Sequence, residues 1–330
     1  MSINRLAGLL AALSLVIPLD AARGNDSSAS LSTGGLKFEL NDKVEMTSED
    51  LFLSRSRVRV RYLFRNTSQQ NVETLVAFPL PDIQTGESGN YVVDAPDPIN
   101  VVGFEVWVDG RRIRPSVEAK AWSNGVDVTA ILLKHHLPLT TMFPNDVARS
   151  RFYGDLRRLP EAALRELERH GAIARFKGDP GQPVDVNPQW TTNITFYWRQ
   201  TFPAGRTVEI RHAYRPVSRH FFTDVSEIES GGMRTKYCPD QAFLAAARAR
   251  ARQGTLSGVE LRYVLGTGRN WAGPIGRFTL TVDKQDPKAV VSTCFAGLRR
   301  TSDTTFTSTK LNFRPKDDFG FLLLTTVKAP

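Results

Sequence analysis

From Ser54 to Arg65 the chain alternates almost without fault: Val58, Val60, Tyr62 and Phe64 stand at even positions, Arg55, Arg57, Arg59, Arg61 and Arg65 at odd ones. Successive side chains of a strand point to opposite faces, so this stretch is a half-buried strand with an apolar face and an arginine face. The polar run Asn66-Thr-Ser-Gln-Gln-Asn71 reads as a turn, and Val72 to Leu80 returns apolar, with Pro79 and Pro81 at its end. Together they predict a β-hairpin, the first long one of a mainly β, antiparallel β-sandwich.

The N-terminus has a different character. Arg5 precedes the apolar run Leu6 to Leu19, and Asp20-Ala-Ala-Arg-Gly24 follows. A short basic region, an apolar core too short to span a bilayer and a small-residue exit make a secretory signal over residues 1–24. Ala22 and Gly24 would occupy −3 and −1, which sets cleavage before Asn25, with Ala21 as the fallback. No later stretch reaches the about 18 apolar residues of a membrane helix. The expectation is a periplasmic or secreted protein with no transmembrane segment in the mature chain. Its charge then falls from +9 to +8, because Arg5, Arg23 and Asp20 are removed. The basic residues are scattered, which argues against nucleic acid and leaves an envelope protein or an anionic glycan as partner.

The only two cysteines, Cys238 and Cys294, lie beyond the signal. In an oxidising compartment an even pair predicts a disulfide, with two buried thiols as the alternative.

Residues 25–35, small and polar, predict a flexible leader. The sandwich is expected over 36–222 and carries a helical insertion at 126–177. There Pro160 opens a helix with Leu164 and Leu167 on one stripe and Gly171 at its end. Asp109-Gly110 is a two-residue hairpin turn. Residues 216–237 look irregular. A second β-rich region is expected over 226–330, with one helix at 239–253.

Chemistry is sparse. His135-His136 is the only histidine pair, and adjacent histidines diverge on a helix. No HExxH, GxSxG, SxxK, P-loop or GxGxxG pattern occurs. The sequence therefore nominates no catalytic residue, metal ligand or cofactor. It nominates ligand contacts in the arginine row, Arg55, Arg57, Arg59 and Arg61, and in Trp271, which stands in the turn-rich run Gly266 to Gly276.

Several phrases resemble a family of exported bacterial proteins of unknown function (DUF4424-like). They are Ser48-Glu-Asp-Leu-Phe-Leu53, Tyr62-Leu-Phe-Arg-Asn66, Val76-Ala-Phe-Pro-Leu-Pro-Asp82, Phe202-Pro-Ala-Gly205 with Tyr214-Arg-Pro216, and Tyr263 through Gly276. That resemblance implies an exported β-rich protein and supplies no activity or site residue. Residues 58–81 and 202–214 are also similar to the sandwich domain that precedes the von Willebrand-type domain of inter-α-trypsin-inhibitor heavy chains. No such metal-binding domain follows here, so its adhesive role is not implied. The function expected is a non-enzymatic envelope protein that binds a partner protein or an anionic polymer. The alternative is a hydrolase or transferase acting on envelope glycans.

Overall fold

The computed structural model describes residues 25–32, 35–85, 97, 99–143, 145–176 and 184–327. The signal expected at 1–24 lies outside them. In chain order the elements begin with β1 (Ser27–Ser32), β2 (Gly35–Glu39), β3 (Val44–Ser54), β4 (Val58–Asn66), β5 (Val72–Pro79) and β6 (Ile83–Gln84). Next come β7 (Glu105–Val108), β8 (Arg111–Ile113), β9 (Ser116–Ser123), β10 (Val126–Asp127), α1 (Thr129–Lys134), α2 (Asp146–Arg157) and α3 (Glu161–Arg169). They are followed by β11 (Ile173–Phe176), β12 (Asp185–Pro188), β13 (Thr191–Phe202), β14 (Thr207–Tyr214) and β15 (Ser218–Thr223). The last part holds α4 (Val225–Glu229), α5 (Gly231–Tyr237), α6 (Gln241–Ala251), β16 (Thr255–Tyr263), β17 (Ile275–Asp283), β18 (Val290–Ser292), β19 (Arg299–Arg300), β20 (Thr305–Phe313) and β21 (Phe319–Val327).

The protein is mainly β. One sheet runs β10-β9-β13-β5-β1-β2, with β6 also on β13, and a second runs β19-β20-β17-β3-β4-β14-β7-β8. Their inner faces share one core, in which Phe78, Phe196 and Trp198 of the first sheet join Val60, Tyr62, Phe64, Ile210 and Phe278 of the second. A third sheet, β15-β16-β21-β18, adds Val259, Leu261, Phe321 and Leu323 to that core. Its other face is covered by α4, α5 and α6 through Ile228, Tyr237, Phe243 and Leu244. Helices α1 to α3 pack Leu132, Phe152, Leu156, Leu164 and Leu167 around Trp190. The α3 stripe read from the sequence is thus the buried one.

The alternation of residues 58–64 is as expected, but its hairpin partner is not. β4 pairs antiparallel with β3, through a tight turn at Arg55-Ser56 where Ser54 N–H bonds the Arg57 carbonyl at 2.9 Å. β5 lies in the opposite sheet, against β13 and β1. The polar run 66–71 therefore crosses from one sheet to the other. Asn66 holds this corner: its Nδ2 donates to the carbonyls of Gln70 and Phe202, each at 2.8 Å. The β13–β14 connection crosses in the same way at Pro203 to Arg206. The Asp109-Gly110 turn does join β7 to β8, with both residues at positive φ (46° and 79°), as a two-residue loop of that twist requires.

Two further expectations need correction. Residues 27–32 are no leader, for β1 pairs with β5 and turns back into β2, and Asn25, Asp26 and Ser27 are fully buried. Residues 216–237 are regular, forming β15, α4 and α5. The β-rich region expected over 226–330 divides: β16, β18 and β21 form the third sheet with β15, while β17, β19 and β20 join the large sheet, β17 running parallel to β3. Cys238 and Cys294 form a disulfide, with Cα atoms 4.9 Å apart. It ties the end of α5 to the loop after β18. Thiol labelling of denatured, unreduced protein is expected to find no free thiol, and two labelled cysteines would contradict it.

Candidate functional site

The outer face of the eight-stranded sheet carries a shallow groove of about 720 Å³, lined by Asp50, Arg57, Arg59, Arg61, Trp107 and Arg211 among others. Strand alternation builds it. Val58, Val60, Tyr62 and Phe64 go into the core, so Arg57, Arg59 and Arg61 must face out. Register then aligns one row across five strands. Arg61 sits opposite Asp50 of β3 and Arg211 of β14, Arg211 opposite Trp107 of β7, and Trp107 opposite Arg112 of β8.

Acids interleave this row. Glu209 accepts from Arg61 at 2.6 Å and from Arg211 at 2.5 Å, while Asp50 stands 3.5 Å from Arg61. Glu105 pairs with Arg112 at 2.8 Å and with Arg57 at 3.4 Å. Five guanidiniums thus face three carboxylates. Arg59 is the one of the five with no acid beside it among the described residues, and its guanidinium lies over the Phe52 ring at 4.3 Å. Exposed pairs of this kind each hold together by under about 1 kcal/mol, so a ligand anion can compete for them. Trp107, half-buried beside Arg211, adds a flat apolar surface.

Arg57, Arg59 and Arg61 are therefore brought together. Arg55 is not: it lies in the β3–β4 turn, where its charge acts on His220. Trp271 is 3% exposed, with its ring 4.7 Å from Phe64 and 5.8 Å from Phe202 between centroids. It is a core residue and offers no surface to a ligand.

Sequence reasoning missed a second cluster, beneath the groove and sealed from solvent. Asp26, Glu49, Tyr62, His212 and Tyr263 meet between the sheets. Asn25 Nδ2 donates to Glu49 Oε2 at 2.9 Å, and the Tyr62 hydroxyl donates to Asn25 Oδ1 at 2.5 Å. Tyr62 and Tyr263 hydroxyls are 3.2 Å apart, and Tyr263 reaches Glu49 Oε1 at 3.5 Å. His212 Nε2 stands 3.5 Å from Asp26 Oδ1, yet among the described residues neither carboxylate oxygen of Asp26 nor either His212 nitrogen has a hydrogen-bond partner. Burial pushes the Glu49 carboxyl up to about 8, against the hydrogen bonds from Asn25 and Tyr263. Burial, with the Glu49 charge, also raises Asp26 well above the carboxylate range, and burial lowers His212 to about 3. No group of three or more His, Cys, Asp or Glu side chains arranged for a metal ion occurs among the described residues. His212 was legible, since Val208, Ile210, His212 and Tyr214 share one strand face.

No helix among the described residues is long and apolar enough to cross a membrane. No curated protein matches the chain. Among solved structures it is similar to that of a protein from Legionella pneumophila provisionally described as a nutrient binding protein. The identity is 15% and the TM-score 0.44, over 91% of this chain and 70% of that one. A family model for a domain of unknown function, DUF4424, matches residues 24–322, and the chain belongs to that family.

Proposed function

We propose that the protein is an exported binding protein whose site is the arginine groove, and that its ligand is a segment of anionic glycan. The observation that carries this is the charge imbalance of the groove: among the described residues five guanidiniums stand against three carboxylates, with Arg59 unmatched, beside a half-buried Trp107. Guanidinium forks suit carboxylate or sulfate groups, and the indole suits a sugar face. The groove is shallow and lies along a sheet, a shape for an extended chain rather than an enclosed small molecule. The disulfide is compatible with export, since such bonds persist in oxidising compartments.

The test is retention on an anionic polysaccharide column, wild type against Arg57→Ser/Arg59→Ser. Each lost charged contact is expected to weaken binding roughly tenfold, so the double variant elutes at clearly lower salt. Trp107→Ala should also elute earlier, with a smaller change in salt dependence because no charge is lost. Equal elution of all three proteins, each folded, would leave the row a structural ion-pair ladder.

A further inference from the structure

The buried acids Asp26 and Glu49 play no part in the groove, and no lysine or arginine among the described residues pairs with either. Two carboxyl groups sealed in a core without a cation are costly unless they stay neutral or meet a positive charge. The groups facing them are Tyr62 of β4, His212 and Tyr214 of β14, and Tyr263 of β16, none of which supplies that charge near neutral pH.

What does reach them is the buried segment that begins at Asn25, whose side-chain amide donates to Glu49. Every polar atom of Asn25 is held. Its N–H donates to the Thr267 hydroxyl, which in turn donates to the Asn25 carbonyl at 2.5 Å. Its Nδ2 binds Glu49, and its Oδ1 accepts from Tyr62 and from the Asp26 N–H at 2.8 Å. The following residues are gripped by the same segment: Trp271 Nε1 donates to the Asp26 carbonyl at 2.6 Å, and Asn270 Nδ2 to Ser27 Oγ at 2.8 Å. Gly268 lies so close that a Cβ there would sit 2.7 Å from Asn25 Nδ2. The turn-rich run Gly266 to Trp271 is thus a clamp on residues 25–27.

We propose that Asn25 is the first residue of the working protein, and that its freed α-ammonium is the buried counter-ion of Asp26 and Glu49. A signal-peptidase-class endopeptidase adds water across the Gly24–Asn25 bond. The C–N bond breaks, the water's oxygen stays on Gly24 as part of the new carboxylate, and both of its protons end on the Asn25 nitrogen, which becomes an ammonium. An amide nitrogen brings one donor to this site, whereas an ammonium brings three and a full charge. One donor serves Thr267 and two remain for the acids, one adjacent in sequence and one already bonded to the Asn25 side chain. Removal of the signal therefore completes the core.

This rests on the export reading, but the test separates the two. Chains beginning at Asn25 and at Gly24, released from one fusion without added residues, are compared by thermal unfolding. The Gly24 chain is expected to melt about 5–10 °C lower. With Asp26→Asn/Glu49→Gln in both, the gap should close or reverse. No gap, or a gap that survives neutralisation of the acids, overturns the proposal. Should the Gly24 chain fail to fold, the same chain with both acids neutralised must recover the fold, and failure to do so is equally fatal. Intact mass of protein from the envelope fraction should begin at Asn25. A start elsewhere would remove the assignment while leaving export intact.

Discussion

Replacing Trp271 with alanine is expected to cost about 3–5 kcal/mol of folding stability, the range for emptying a buried tryptophan site. The ring is 3% exposed and fills the space between Phe64 of β4 and Phe202 at the end of β13, so it bridges the two large sheets at one corner of the core. Its Nε1–H also holds the Asp26 carbonyl, a bond worth about 1 kcal/mol net, and losing it leaves a buried carbonyl to find another donor. β1 enters the sheet immediately after that point. The variant should therefore show a lower urea midpoint and, before global unfolding, faster amide exchange in residues 27–32 than in the centre of β13. Trp107→Ala, on the outer sheet face, should shift the urea midpoint far less while reducing polysaccharide retention. The reverse pattern, with Trp107 costly and Trp271 tolerant, would refute the assignment of one as groove and the other as core.

The two tryptophans show where the sequence was legible and where it was not. Trp107 faces away from Val106 by simple alternation; parity gave the face but left open whether that face met solvent or a neighbouring layer, and in the fold it is the outer one. Trp271 stands among glycines and a proline, composition that reads as an exposed loop. Its burial depends on residues 25–27 and on the β4 and β13 corners, partners more than 60 positions away in sequence. The arginine row was visible for the same reason as Trp107. Its neutralising acids were visible only in part, because they depend on which strands flank β4. Adjacency in sequence favoured β5 as the partner and Glu73 as a counter-ion, with Glu49 or Asp50 at the start of the row; in the fold Glu73 sits opposite Thr201 in the other sheet, Glu49 is buried, and Asp50 takes the role together with Glu209.

Glu49 was hidden by a subtler device. In β3, Val44 and Met46 point inward at even positions, but the register shifts between Met46 and Ser48, and from there Glu49, Leu51 and Leu53 point inward at odd ones. A bulge of one residue swaps the faces of everything beyond it. Without it Glu49 would lie on the outer face and Asp50 in the core. The flexible leader was misjudged because Ser27 to Ser30 are small enough to be covered as a strand between β5 and β2 although their composition looks unstructured; Ala29 packs with Leu75 and Ala77 there.

That inward turn of Glu49 sets a pH dependence whose sign can be worked out. In the unfolded chain Glu49 gives up its proton near 4.5, while burial holds the proton up to about 8 in the fold when the Asn25 nitrogen is an amide. Between those values only the folded state carries the proton, so stability falls with rising pH by up to about 1.4 kcal/mol per unit, at most about 5 kcal/mol across the window. Asp26, also raised by burial, acts in the same direction. His212 opposes them at the acid end. Its folded value near 3 lies below the unfolded 6.5, so its contribution to stability rises with pH up to about 6.5 and is constant above. The clean decline is therefore from about 6.5 to 8, and the Glu49 share is isolated by difference. For chains beginning at Gly24, the stability of Glu49→Gln relative to its parent should climb by up to about 5 kcal/mol from pH 4.5 to 8, read from urea unfolding at each pH. For chains beginning at Asn25, the neighbouring ammonium favours the carboxylate and the same difference should be much flatter. A difference that is flat in the Gly24 chains would mean that Glu49 is ionised in the fold without a cation beside it, and burial could no longer be what governs this carboxyl.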